Sequence, residues 1–174
     1  MIRDWGTERL QKNKSRARRQ VLSGIMLIYR SEETAKMKKL SPNLMTTDVR
    51  ATVDFYRTNL GFELVMAVAE TKDGILSDIP EDTKIIYALL KNGNVEIMFQ
   101  SQESLVAELS LFENIEVGAS MSLYVEVERV EDFCEKLKSN QVEIVKDLFT
   151  TWYGMKEIYI RDNNGYIFCF AERA

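Results

Sequence analysis

YGMKEIYIRDNNGYIFCFAE, residues 153 to 172, reads as two strands joined by a tight turn. Met155 to Arg161 and Tyr166 to Ala171 are rich in β-branched and aromatic residues, and the run Asp162-Asn163-Asn164-Gly165 between them consists of turn formers. Toward the N-terminus, RVEDFCEKLKSN (129 to 140) places Val130, Phe133, Cys134 and Leu137 at i, i+3, i+4 and i+7, the signature of an amphipathic helix that ends at Ser139 and Asn140. A strand over Met121 to Val127 precedes this helix, and one over Glu143 to Leu148 follows it. The unit is βαβββ.

The same unit occurs once more upstream. In DVRATVDFYRTNLGFELV (48 to 65), Val49, Val53, Tyr56 and Leu60 recur at helical spacing, Asp48 is placed to cap the N-terminus, and Gly61 stops the helix. Strands are expected over Asn43 to Thr47, Phe62 to Ala69, Lys84 to Leu90 and Val95 to Gln100. Echoes tie the copies together: Asp54-Phe55 with Asp132-Phe133, Glu63-Leu64-Val65 with Glu143-Ile144-Val145, and Asn92-Gly93 with Asn164-Gly165. The expected fold is α+β, with modules at about 40–100 and 120–172 and a linker helix over 101–112 in a single domain spanning 40–174.

A hydrophobic fraction of 45% builds a substantial core without disulfides, and Cys134 and Cys169 are too few and too far apart for a disulfide scaffold. This points to a reducing cytoplasm. The net charge of -4 conceals two unlike parts. Residues 1 to 36 hold nine Lys/Arg against four Asp/Glu, net +5, which leaves fourteen bases against twenty-three acids downstream, net -9. An acidic domain argues against nucleic acid as the main partner and mildly favours cationic or metal-bearing ligands.

Residues 1 to 39 read as a basic arm. Its apolar run Val21 to Tyr29 imitates a secretory signal, but Asp4 and Glu8 interrupt the basic stretch and no small-residue cleavage pattern follows Tyr29. The expectation is a solvated or non-native extension, with Met37 as the natural start. No apolar run reaches the roughly 20 residues of a membrane-spanning helix, so no membrane partner is expected.

DVRATVDFYRTNLGFELV, NVEIMFQ and above all YGMKEIYIRDNNGYIFCFAE resemble the matching segments of the glyoxalase/bleomycin resistance/dioxygenase superfamily, the vicinal oxygen chelate proteins, over residues 40 to 172. Asn163 departs from the proline common there, a matter of turn stiffness. The resemblance implies that the two modules curl into a cup and that the enzymes of the group bind a metal from four strands. The corresponding positions here are Ser41, Glu96, Ser120 and Cys169. Only Glu96 is a usual ligand, and the chain contains no histidine. The resemblance therefore points to the metal-free, bleomycin-resistance-like members: a homodimer without metal or cofactor that sequesters an antibiotic or metabolite. A lyase, isomerase or dioxygenase with a rearranged metal site is the enzymatic alternative, and a regulatory or structural module with a vestigial cup is the third.

Period-two alternation assigns the faces. On the last strand of the first module Val95, Ile97 and Phe99 go under the helices, turning Glu96, Met98 and Gln100 to the cup. Met121, Leu123 and Val125 oppose Ser120, Ser122 and Tyr124 in the same way, and Phe168 and Phe170 oppose Cys169 and Ala171. The cup is thus expected to be polar, small and aromatic. Its candidate ligand contacts are Asn43, Met45, Glu96, Met98, Ser120, Ser122, Tyr124, Trp152, Tyr153, Glu157 and Cys169. Trp152 and Tyr153 either stack on a planar or cationic group or close the mouth or a dimer seam. Glu157 shares its face with Met155 and Tyr159 and either supplies negative potential or is a salt-bridged strand residue. No catalytic set is assigned: without a metal, proton abstraction by Glu96 loses its main stabilisation of the oxyanion.

Overall fold

The computed structural model describes residues 36–118 and 120–174, so the basic-arm reading falls, for residues 1–35, outside the described residues. Ser41–Ala174 forms one unit. In chain order it contains β1 (Asn43–Thr46), α1 (Val49–Leu60), β2 (Glu63–Ala69), β3 (Ile75–Leu76), β4 (Ile85–Asn92), β5 (Val95–Ser101) and α2 (Gln102–Glu108). A 3-10 turn at Ser110–Phe112 leads to β6 (Ser122–Glu126), α3 (Val130–Ser139), β7 (Glu143–Thr150), β8 (Met155–Arg161) and β9 (Ile167–Arg173). The first sheet has the order β1-β5-β4-β2-β3 and the second β6-β9-β8-β7, so each module places its first and last strands side by side and parallel. This is the expected pair of βαβββ modules in an α+β fold.

Helix α1 forms where its apolar spacing predicts. Asp48 Oδ1 accepts the Ala51 N–H at 3.0 Å, satisfying a donor that the first turn leaves open. Val49, Val53, Tyr56 and Leu60 are buried. At the other end Gly61 takes φ 69°, the left-handed conformation that closes helices, and the Phe62 N–H reaches back to the Tyr56 carbonyl at 3.1 Å. Helix α3 starts differently. Arg129 offers no side-chain cap, and Glu172 on β9 accepts the Arg129 and Val130 N–H groups at 2.9 and 2.8 Å.

One hydrophobic core serves both modules. The buried Tyr56 ring meets Phe99 of β5 at 4.6 Å and Phe168 of β9 at 5.9 Å, edge to face in both cases, so α1 touches the inner faces of both sheets. Hydrogen bonds cross the same junction: Tyr56 OH to Asp162 Oδ2 (2.7 Å), Tyr166 OH to the Met45 carbonyl (2.9 Å), Thr46 Oγ1 to Asn164 Oδ1 (2.7 Å) and Asn140 Nδ2 to Asn59 Oδ1 (3.0 Å). The face of each sheet turned away from this core is the cup face.

Three expectations need correction. A two-residue strand, β3, pairs with the end of β2, too short to leave any alternation in the sequence. The linker divides into α2 and a 3-10 turn instead of one helix over 101–112. Met121, expected on the core side, precedes β6 and is 63% exposed.

Candidate functional site

Residues directly opposite one another on neighbouring strands share a face, so the strand register assembles the site. In the second sheet one row runs Tyr124, Cys169, Tyr159 and Lys146, and the next runs Glu126, Ala171, Glu157 and Phe149. Ser122 stands opposite Ile167 at one end of this surface. In the first sheet Asn43, Met98, Leu89 and Met66 form one row, Met45, Gln100, Tyr87 and Val68 form another, and Glu96 is paired with Lys91. The candidate residues therefore fall into two groups, one on each sheet.

Glu157 is the centre of the second group. It is 2% exposed, and its carboxylate accepts the Tyr153 hydroxyl at 2.7 Å and the Tyr159 hydroxyl at 3.1 Å. Among the described residues it makes no ion pair, so the salt-bridged reading is replaced by a carboxylate held between two phenols. The bond to Glu157 is the main cause that raises the pKa of Tyr153 above the usual phenol value. Tyr159 is raised as well, first by its bond to the Cys169 thiol and then by burial. Burial pushes the Cys169 thiol up, against a smaller opposing effect of the Tyr159 bond, so its surroundings disfavour the thiolate.

Around this centre the walls are aromatic. Tyr124 is 51% exposed; its hydroxyl pKa is raised, first by desolvation and then by the fields of Glu157, Cys169 and Glu126. Phe149 stacks on Tyr159 with centroids 6.4 Å apart, and Lys146 Nζ lies 3.4 Å from the Phe149 ring centre. Trp152 is 95% exposed and touches the edge of Tyr153 at 5.3 Å, so Tyr153 is the member of the pair that reaches the carboxylate. A cavity of about 380 Å³ opens beside this cluster, with Tyr153, Met155, Ala171, Glu126 and Arg173 in its wall.

The first group has another character. Asn43 Nδ2 donates to Gln100 Oε1 at 2.8 Å, while Gln100 Nε2 donates to Ser104 and Glu108 of α2, so this polar pair is anchored within its own module. Met45 is buried, and Met98 lies between Asn43 and Leu89. With Met66, Val68 and Leu89 on the same face, β2 and β4 make their side of this half of the cup largely apolar, beside the polar Asn43–Gln100 pair. The polar, small and aromatic character expected from β5, β6 and β9 describes the second sheet, whereas on the first sheet β2 and β4 add Met66, Val68 and Leu89 to the face.

The four positions that the resemblance assigns to metal binding hold Ser41, Glu96, Ser120 and Cys169. Ser41 precedes β1, Ser120 is exposed ahead of β6, Glu96 lies on β5, and Cys169 is a buried thiol. Two hydroxyls, one carboxylate and one thiol are a poor donor set for a divalent ion, which takes three or four imidazole, carboxylate or thiolate donors. Among the described residues no three His, Cys, Asp or Glu side chains are grouped to hold an ion.

Glu126, Lys146, Phe149 and Arg173 were missed in the sequence. Glu126 was within reach, two positions beyond Tyr124 on an alternating strand. Lys146 and Phe149 were not, because register shifts between Ile144 and Lys146 and between Lys146 and Phe149 break the alternation of β7.

The model of the Glyoxalase/Bleomycin resistance protein/Dioxygenase superfamily matches residues 39–170. Among solved structures, TioX from Micromonospora sp. ML1 is 19% identical, with a TM-score of 0.57 over 79% of this chain and 100% of its own. A glyoxalase/bleomycin resistance protein/dioxygenase from Nocardioides is 18% identical, with a TM-score of 0.60 over 86% and 93%. A member of the same superfamily from Sphaerobacter thermophilus is 15% identical, with a TM-score of 0.57 over 79% and 98%. At these identities the likeness is one of fold. No curated protein matches the chain.

Proposed function

Because the chain belongs to the Glyoxalase/Bleomycin resistance protein/Dioxygenase superfamily, we propose that it is a binding protein of that superfamily, holding a small organic molecule in its cup without a metal ion. The observation that carries this reading is the donor set: of the four ligand positions three bear a hydroxyl or a thiol. With no Lewis acid to stabilise an oxyanion, the cup offers recognition groups instead. The Glu157 carboxylate, oriented by the two tyrosine hydroxyls, and the half-exposed Tyr124 ring suit a ligand that carries positive charge or hydrogen-bond donors.

The expected occupant is an antibiotic or metabolite, and the role is sequestration in the cytoplasm by a homodimer, as in bleomycin-resistance-like members. Nucleic acid is no partner in this reading, because the described domain carries an excess of acid. Isothermal calorimetry against cationic glycopeptides and a panel of small metabolites tests it, with protein dialysed against chelator and its metal content measured. Saturable binding by metal-free protein is the expected result. Stoichiometric nickel, zinc, manganese or iron in the purified protein, or no saturable binding of any compound, overturns it.

A further inference from the structure

Resting on the reading of the second sheet as a ligand cup, we propose that the ligand is an α-amino acid, its ammonium taken by Glu126 and its carboxylate by Arg173. Glu126 on β6 is opposite Ala171 on β9, and Arg173, two positions beyond Ala171, is opposite Met155 on β8. Residues two apart on a strand share a face, so Glu126 and Arg173 rise from diagonal positions about 7–8 Å apart around Ala171. The alanine, fully buried, supplies a small floor, and Tyr153, Met155, Val127 and Glu172 complete the wall of a cavity of about 380 Å³, the Glu172 carboxylate being already engaged by the Arg129 and Val130 N–H groups. That volume falls within the range of small-molecule pockets.

The two charges are the telling feature. Among the described residues neither Glu126 nor Arg173 makes a side-chain hydrogen bond or an ion pair, whereas Lys84, Lys138, Lys156 and Arg161 all have carboxylate partners. Opposite charges held apart across a small apolar floor are complementary to a molecule that bears both charges on one carbon. A simple amine would meet the repulsion of Arg173, and a simple acid that of Glu126. The Tyr153 ring and Met155 then face the amino-acid side chain, which favours apolar and aromatic ones.

The test is a titration of the full chain with each standard L-amino acid, read by amide chemical shifts and calorimetry. The tightest is then compared with its decarboxylated amine and its deaminated acid. The expected result is saturable binding of an L-amino acid, with shifts at Glu126 and Arg173, and binding of each single-charge analogue at least tenfold weaker. Arg173→Met removes the preference over the amine, and Glu126→Gln removes the preference over the acid; both side chains are exposed, and both variants keep the fold. If no amino acid binds, or if the amine binds both the native chain and Arg173→Met as tightly as the amino acid does, the proposal is wrong. In that second case, shifts at Tyr159 and Cys169 would leave the cup reading intact, whereas failure of this series and of the broader panel removes both.

Discussion

Asp162 is one of the residues on which the two modules meet. Its Oδ1 accepts the Asn164 and Tyr166 N–H groups at 2.9 and 2.7 Å, and its Oδ2 accepts the Tyr56 hydroxyl from α1 at 2.7 Å. The carboxyl is buried, so removing the single donor to Oδ2 leaves an acceptor without water or partner. Tyr56→Phe is expected to cost about 1–3 kcal/mol in urea unfolding, and a cost near zero would mean the bond is not formed in solution. Burial raises the Asp162 pKa, against smaller lowering contributions from its hydrogen bonds. A carboxyl whose folded pKa lies above its unfolded value contributes stability that is full below the unfolded pKa and is lost as pH rises through the folded one. Asp162→Asn cannot titrate, so its stability deficit against the native chain is expected to be larger near pH 4 than at pH 7, as read from paired urea titrations at the two values.

At the scale of elements, the contrast between α1 and α3 shows how far a sequence can be read. The α1 cap, Asp48, and its stop, Gly61, adjoin the helix in the chain, and both were legible from spacing alone. The α3 cap comes from Glu172, far away on β9, where nothing local marks it. A side chain brought from another strand leaves no pattern near the helix it serves. Glu157 teaches the same lesson: alternation placed it on the cup face, but its two tyrosine donors required the register of β8 and the bend at Tyr153. The apolar half of the cup was hidden for another reason, since ELVMAVA and IIYALLKN carry apolar residues on both faces and alternation says little there. The Glu172 pKa is lowered by its bonds to the Val130 and Arg129 N–H groups, so its contribution is present above the unfolded pKa and lost as pH falls through the folded one. Glu172→Gln is therefore expected to lower Tm by a few degrees at pH 7, the usual scale for weakening one helix cap in a domain of this size. The difference should shrink as pH falls through the lowered folded pKa. Circular-dichroism melts at pH 7 and in a series descending to about pH 2, below the usual carboxylate range, measure both, and an undiminished gap at the acid end would show that the carboxylate charge is not the cause.

For the whole molecule, the shared core determines what remains outside it. Because α1 packs against both sheets, each sheet has one face in the core and one face beyond it. The outer face of the first sheet carries Met66, Val68, Leu89 and Met98 in adjoining rows, with Ile75, 72% exposed, at its β3 edge. An apolar surface of this kind is a usual mark of association, whereas the second sheet presents the carboxylates and phenols of the proposed ligand site. The two faces differ in chemistry, so a lone chain offers an apolar half-cup and a polar half-cup. The proposed homodimer would cover the first and wall in the second. Sedimentation equilibrium is then expected to return twice the chain mass of 20.1 kDa, and Leu89→Asp, which puts a charge in the middle of the apolar rows, is expected to shift the protein to monomer while far-ultraviolet dichroism stays unchanged. If the dimer completes the cup, the same variant should also weaken ligand uptake by tenfold or more, about 1.4 kcal/mol, although Leu89 lies on the sheet without Glu157. A native chain that sediments as a monomer at every concentration would rule the dimer out, and a monomeric Leu89→Asp protein with native ligand affinity would show that one chain holds a complete site.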